Sequence, residues 1–261
     1  MARRRLEGKR VVLTGATSGL GNSIAEELAN HGVKLFLNGR REDLLRKISR
    51  SFQESGTQCG FVAGDITDSN VQRTLVDGCV DSFGGVDCLI NNAGVGAMGM
   101  FGEANSNRLR EIFELNFFAM AELSRLAIPH LTRGVDPIIV NIGSVLGHRA
   151  VPLKSEYCAS KFAVHGFSDA LRAELSAIPI EVLHVCPATI DTEFFDSALE
   201  DSTDRDWKSG AKMSPQFVAT KTVSSIQRRK HELILPTKAH GLVWLDRLLP
   251  GLTDRLIAKF G

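Results

Sequence analysis

The amino-acid sequence predicts an α/β fold organised on a parallel β-sheet, and three features carry that prediction. Short apolar runs, mostly continuous rather than alternating, read as strands covered on both faces. Helix-length amphipathic segments lie between them, so strand and helix alternate and imply right-handed βαβ crossovers. A glycine-rich turn joins the first strand to the first helix, the place where open parallel sheets hold ligands beyond their carboxyl ends.

Taken in order, strands are expected at residues 10–14, 34–37, 59–62, 86–90, 138–142, 181–185 and 232–235. Residues 21–31 set Ile24, Ala25, Leu28 and Ala29 on one helical face, and 41–55 do the same with Leu44, Leu45 and Ile48. Residues 69–83, 106–131 and 157–177 are expected as further helices. Residues 94–102, rich in Gly and Met, and 191–214, polar with an acidic run over 200–206, read as surface loops. The second is long enough for a substrate lid. Near the end, Leu245, Leu248, Leu249, Leu252, Leu256 and Ile257 recur between charges, an amphipathic extension over about 240–261. Its expected partner is the core or a neighbouring subunit. Its polar face carries both charge signs, which disfavours a membrane surface, although peripheral contact would use this segment.

The 261 residues fit a single domain. Lys and Arg total 31 against 30 for Asp and Glu, a formal net charge of +1. That balance gives no basis for a nucleic-acid partner. The composition, 43% hydrophobic and 23% charged, excludes disordered, collagen-like and disulfide-scaffold classes. Cys59, Cys79, Cys88, Cys158 and Cys186 are scattered, with no Cys-x-x-Cys pair, so no metal or redox motif is expected and the cytoplasm is the expected compartment. Basic residues 1–5 precede an apolar run too short for a secretory signal. No stretch of about 18 uncharged apolar residues is present to span a bilayer.

The first strand runs into Thr14–Gly15–Ala16–Thr17–Ser18–Gly19–Leu20–Gly21. Backbone N–H groups and the positive end of the following helix make such a turn a phosphate cradle, and glycine permits both the turn and the close approach of a ligand. The second strand ends at Arg40 and Arg41 with no carboxylate before them. In a dinucleotide fold this tip faces the adenosine ribose, where an acidic side chain would hold a 2′-hydroxyl and an arginine fork a 2′-phosphate. NADP(H) is therefore expected over NAD(H). Asp65 and Ile66 end the third strand, and Asn91, Asn92, Ala93 and Gly94 the fourth. Each is alone an ordinary turn former; together they line one edge.

The fifth strand leads to Ser144. Tyr157, the only tyrosine, stands four residues before Lys161, so a helix places both on one face. A phenol with an ordinary pKa of about 10 is a poor acid or base near neutrality. The Lys161 ammonium and an oxidised nicotinamide ring are expected to lower it by unlike-charge attraction. Tyr157 would then exchange a proton with a carbonyl or alcohol oxygen that Ser144 also holds.

These residues, with Asn116 and Pro187–Ala188-x3-Thr192, resemble the short-chain dehydrogenase/reductase family in order and spacing over about residues 8–195. The resemblance implies a Rossmann-like, doubly wound parallel sheet of about seven strands with helices on both faces. It implies a catalytic tetrad of Asn116, Ser144, Tyr157 and Lys161, with Asn116 holding a water that links Lys161 to solvent. It also implies cofactor contacts from the glycine turn, Asp65, Ile66, Asn92, Ala93 and Gly94, from Lys161 to the nicotinamide ribose, and from Pro187, Ala188, Ile190 and Thr192 near the nicotinamide. The family commonly forms homodimers or homotetramers through the two helices flanking the site. Two positions depart from its pattern: Ala188 replaces the usual glycine, and Ser18 stands where many NADP-preferring members carry a basic residue.

The expected activity is NADP(H)-dependent hydride exchange with a small-molecule carbonyl or alcohol substrate. Phe194, Phe195, Leu199, Trp207 and Met213 on the lid, facing Met98, Met100, Leu146, His148 and Val151, point to a hydrophobic one. His148 and His165 are read as polar-edge or interface residues. A non-catalytic NADP(H)-binding sensor or scaffold on the same fold is the alternative, and retention of both Tyr157 and Lys161 argues against it.

Overall fold

The computed structural model describes residues 2–17, 19–194, 199, 212–251 and 253–255. Seven strands form one parallel sheet: β1 (Arg10–Leu13), β2 (Lys34–Gly39), β3 (Cys59–Ala63), β4 (Cys88–Asn91), β5 (Ile138–Ile142), β6 (Glu181–Pro187) and β7 (Glu232–Leu235). Their order is β3-β2-β1-β4-β5-β6-β7, so the winding reverses beside β1 and leaves a crevice at the carboxyl ends of β1 and β4. This is the Rossmann-like, doubly wound arrangement, with every strand close to its expected place.

Alternation along the strands builds a core on each face. Val11, Leu13, Leu35, Leu37, Ile90 and Val140 face one way, against Ile24 and Leu28 of α1 (Gly19–Ala29), Leu45 of α2 (Glu42–Glu54) and Val218 and Ile226 of α7 (Pro215–Gln227). Val12, Phe36, Leu89, Ile139 and Val182 face the other way. They meet Leu75 of α3 (Ser69–Phe83), Leu123 and Ala127 of α5 (Ala119–Leu131) and Leu171 of α6 (Ser155–Glu174).

Two elements differ from expectation. α7 has no counterpart in the sequence reading. The Ser214 hydroxyl caps it by accepting from Phe217 N at 3.2 Å, and Pro215 occupies the first turn. Its buried face includes Thr222 and Ser225, which blur the apolar period. The helix expected over 106–131 divides into α4 (Arg108–Phe113), a π-helical turn Glu114–Phe118, and α5. Such π turns commonly mark functional positions, and this one carries Asn116. Within the expected C-terminal extension the chain forms α8 (Ala239–Leu248). Arg149, just beyond β5, pairs with Asp246 at 3.1 Å and Asp254 at 2.6 Å. That segment is thus tied to the loop that follows β5, while Trp244 and Leu248 stay exposed.

Candidate active site

A cleft of about 530 Å³ lies along the carboxyl ends of the strands. On its β1–β3 side the backbone does the shaping. Gly15 (φ +67°) and Gly19 (φ +52°) hold left-handed conformations that a side chain resists. Thr14 pins the turn to the strand beside it, its hydroxyl accepting from Asn92 N and Ala93 N, each at 3.0 Å. The Asn92 amide returns bonds to Thr14 O at 3.0 Å and Gly15 O at 3.2 Å. Gly15, Thr17, Gly19 and Leu20 border the cleft, and the N-terminus of α1 opens onto it. A Cβ added at Gly21 would lie 2.1 Å from Gly15 O, so this glycine acts beneath the turn, as the packing surface on which the loop rests, and not at the cleft. Ser18 lies outside the described residues.

Arg40, Arg41, Asp65, Ile66, Asn92, Ala93 and Gly94 complete this side, joined by Asn38 and Gly39, which the sequence reading did not single out. Arg41 reaches back to donate to Thr17 O at 2.8 Å and so braces the turn. Arg40 is exposed at the rim. Asp65 accepts from Thr67 N and Thr67 Oγ1, both at 2.9 Å.

The β5–β6 side is built from buried side chains. Ser144 donates to Pro187 O at 3.4 Å and accepts from Leu146 N at 3.1 Å, so it also caps the short turn Val145–Gly147. Tyr157 and Lys161 lie one turn apart on α6, both buried and both facing the cleft. Lys161 Nζ donates to Ile142 O at 3.0 Å and sits 5.7 Å from the centre of the Tyr157 ring. Arg108 and Glu156, paired at 2.7 Å with both side chains buried, clamp α4 to the start of α6. The sequence reading missed this pair because its members are far apart in the chain.

Burial sets the resting protonation states. It lowers the Lys161 ammonium to about 8. It pushes the Tyr157 phenol above its ordinary value, against the pull of a hydrogen bond with Ser144. The expected acidification by Lys161 is therefore not a property of the protein alone: desolvation dominates, and the phenol rests protonated.

Asn116 does not reach the cleft surface. Its Oδ1 accepts from Val95 N at 2.8 Å, and its Nδ2 donates to Val95 O and Ser160 Oγ, each at 3.0 Å. It fixes the strand-end loop beside Gly94, where an added Cβ would stand 3.1 Å from Asn116 Oδ1 and 3.8 Å from Lys161 Nζ.

Pro187, Ala188, Ile190, Thr192 and Phe194 close the cleft's remaining edge. Ala188 avoids positive φ, which explains why a methyl is tolerated where the family pattern has glycine. The loop's base is stitched by Met213 N to Thr189 O at 3.0 Å and Asp191 N to Met213 O at 2.9 Å. The Phe194 ring meets Tyr157 edge-on at 5.9 Å. Leu146 and Val151 form part of the facing wall, whereas Met100 is exposed and His148 lies off the cleft, beside His165, His184 and Glu232. Phe195 and Trp207 lie outside the described residues.

The family model for short chain dehydrogenases matches residues 9–203. The chain belongs to the short-chain dehydrogenase/reductase family. It is an oxidoreductase of that kind. It is 29% identical to the uncharacterized oxidoreductase YxnA of Bacillus subtilis, over 98% of this chain and 73% of that protein. It is 32% identical to mouse dehydrogenase/reductase SDR family member 7B, over 95% and 80% of the two chains. Among solved structures, a short-chain dehydrogenase/reductase from Burkholderia phymatum in complex with NAD superposes with a TM-score of 0.87 at 28% identity, covering 96% of both chains. One from Burkholderia cenocepacia in complex with NADP gives 0.81 at 25% identity, covering 91% and 100%.

Proposed function

We propose that this protein is an NADP(H)-dependent carbonyl reductase acting on a hydrophobic small molecule, with the reverse alcohol oxidation on the same groups. The observation that carries the reading is the convergence of Ser144, Tyr157 and Lys161 at the end of a cleft whose other end is a left-handed glycine turn at a helix N-terminus. The cleft fits a dinucleotide. Gly15, Thr17, Gly19 and Leu20 would hold the pyrophosphate, Asp65 and Ile66 the adenine end, Asn92, Ala93 and Gly94 the middle, and Pro187, Ala188, Ile190 and Thr192 the nicotinamide. When bound, the nicotinamide supplies the hydride-transfer chemistry. Two solved relatives in complex with NAD and NADP support a nicotinamide cofactor, and Arg40 at the rim supports the 2′-phosphate form.

The chain's own residues manage the oxygen and the proton. Tyr157 rests protonated, so it begins as the proton donor to a carbonyl oxygen, which favours reduction as the starting direction. Ser144 donates to the same oxygen and fixes its position. Lys161 places a cation beside the phenol, which stabilises the phenolate left after transfer. Asn116 is a positioning residue, holding the Val95 backbone next to Lys161. Leu146, Val151 and Phe194 favour an apolar substrate.

In the same reading the chain is one nucleotide-binding domain with a lid over 191–214, working in the reducing cytoplasm, where five free, buried cysteines stay reduced. It assembles as a homodimer or homotetramer through α4–α5 and α6, where Leu109, Phe118 and Phe162 are exposed. No helix among the described residues is long and apolar enough to cross a membrane. The test is a panel of ketones, aldehydes and alcohols run with NADPH and NADH and followed by cofactor absorbance. Turnover of apolar carbonyls, faster with NADPH, is expected. Tight dinucleotide binding without turnover across the panel identifies a sensor instead, and equal use of both cofactors removes the Arg40 argument.

A further inference from the structure

Behind the cleft, on the far side of Gly143, three of the chain's seven histidines meet one carboxylate. His148 follows the turn after β5, His165 lies on α6 one turn beyond Lys161, His184 is on β6, and Glu232 opens β7. One ligating atom from each falls within 4.8 Å of every other. We propose that these four residues form a structural site for a divalent transition-metal ion of the zinc class.

Four arguments support the assignment. The first is donor chemistry: three imidazoles and one carboxylate suit zinc, whereas calcium and magnesium demand oxygen sets. The second is geometry. Tetrahedral bonds of about 2.1 Å put ligand atoms about 3.4 Å apart. His148 Nε2 and His184 Nδ1 lie 3.3 and 3.7 Å from Glu232 Oε1, so two edges of the tetrahedron are already near that length. The remaining separations are no more than 4.8 Å.

The third argument is an unmet need. The His148 side chain is 2% exposed, yet neither ring nitrogen has a hydrogen-bond partner among the described residues. Its charged neighbour is Glu232, whose Oε1 lies 3.3 Å from Nε2. A buried imidazole left this way is unfavourable, and a metal ion satisfies it. The fourth is a supporting outer shell. His165 Nδ1 lies 3.1 Å from Gly147 O and His165 Nε2 lies 3.2 Å from Asp169. Whichever nitrogen does not ligate keeps an orienting partner, the usual arrangement around a metal-bound histidine. Gly143 makes room for the His184 ring, since a Cβ there would come within 2.1 Å of Nε2. The partly exposed His165 and Glu232 provide a route in from solvent.

Four protein ligands leave no open position, which marks a structural ion rather than a catalytic one. It would tie the loop carrying Ser144 and the helix carrying Tyr157 and Lys161 to the β6–β7 edge. The inference does not rest on the proposed activity, and its test reads metal directly. Protein stripped with a chelator is titrated with zinc by calorimetry and with cobalt by visible absorption. One equivalent of zinc is expected to bind and raise the melting temperature, and cobalt to give the bands of a tetrahedral site. His148→Ala and Glu232→Gln each weaken zinc by at least about tenfold and abolish the cobalt bands, while His130→Ala, on α5, changes neither. Should His148→Ala fail to fold, the more exposed His165→Asn serves in its place. No saturable binding, or zinc binding unaffected by substitution in the cluster, overturns the proposal.

Discussion

On the β1–β3 side of the cleft, shape comes from main chain: left-handed glycines, Thr14 bonded to two backbone N–H groups, and a helix end. On the β5–β6 side it comes from buried side chains: Tyr157, Lys161, the Arg108–Glu156 clamp and the histidine cluster. The turn on the main-chain side is shaped by backbone groups that do not titrate and that offer a fixed pattern of donors to a phosphate. The side-chain side is made of groups whose charge depends on burial, so its chemistry responds to what enters the cleft. In the proposed function, phosphate binding rests mainly on the first kind of material and proton transfer on the second, so substitutions should separate them.

The largest expected separation is at Tyr157. Tyr157→Phe removes only the hydroxyl and should lower kcat by roughly 10⁴-fold, while the dissociation constant of the dinucleotide, measured by fluorescence titration, stays within about twofold. A matched loss of cofactor affinity would show that the two sides are not independent.

Lys161 gives the next effect, in stability rather than turnover. Its ammonium falls to about 8 on folding from an ordinary 10.5, so between these values the unfolded chain binds more protons and stability rises with pH. Below about pH 8 the full cost of burying the charge is present, about 3 kcal/mol. The cysteines act oppositely, because burial raises Cys59 to about 11 and Cys79 and Cys88 to about 12, and their contribution is lost as pH climbs. The difference between wild type and Lys161→Met in urea unfolding cancels the thiols. The variant should gain about 3 kcal/mol at neutral pH and lose that advantage by about pH 10.5. A difference independent of pH would mean that Lys161 titrates alike in the folded and unfolded chain, its ammonium unshifted by burial.

The same division explains what could be read from the sequence. The main-chain side was legible because glycine spacing, strand ends and Arg40 are local patterns. So was the Tyr157–Lys161 pair, a single helical turn. The resting state of Tyr157 was not, because desolvation depends on the Phe194 loop and the sheet packed around it. Nor was the histidine cluster: its members span residues 148 to 232, and only the sheet order β5-β6-β7 brings them together. Helix α7 escaped notice because its buried face spends two positions on Thr222 and Ser225, whose burial no periodicity of apolar residues reports.

On the main-chain side the effects should be smaller and should appear in binding. Gly21→Ala forces a methyl against Gly15 O and is expected to destabilise the protein by about 2 kcal/mol and raise the KM for cofactor, with kcat at saturation little changed. Unchanged cofactor KM would show that the turn yields without consequence.

The smallest effect is the most specific. Arg40 is exposed, so its pairing with a 2′-phosphate is screened by water and salt, and Arg40→Ala should weaken NADPH by only about tenfold while leaving NADH unaltered. Arg41→Ala should behave differently, because that side chain braces Thr17 O: it loosens the turn and weakens both cofactors alike. Comparing the two variants at low and high salt sharpens the distinction, since screening erodes the Arg40 contribution far more than the hydrogen bond made by Arg41. If both variants lost NADPH selectively, the two arginines would form one phosphate site, and the rim would bind through paired side chains as the opposite side of the cleft does.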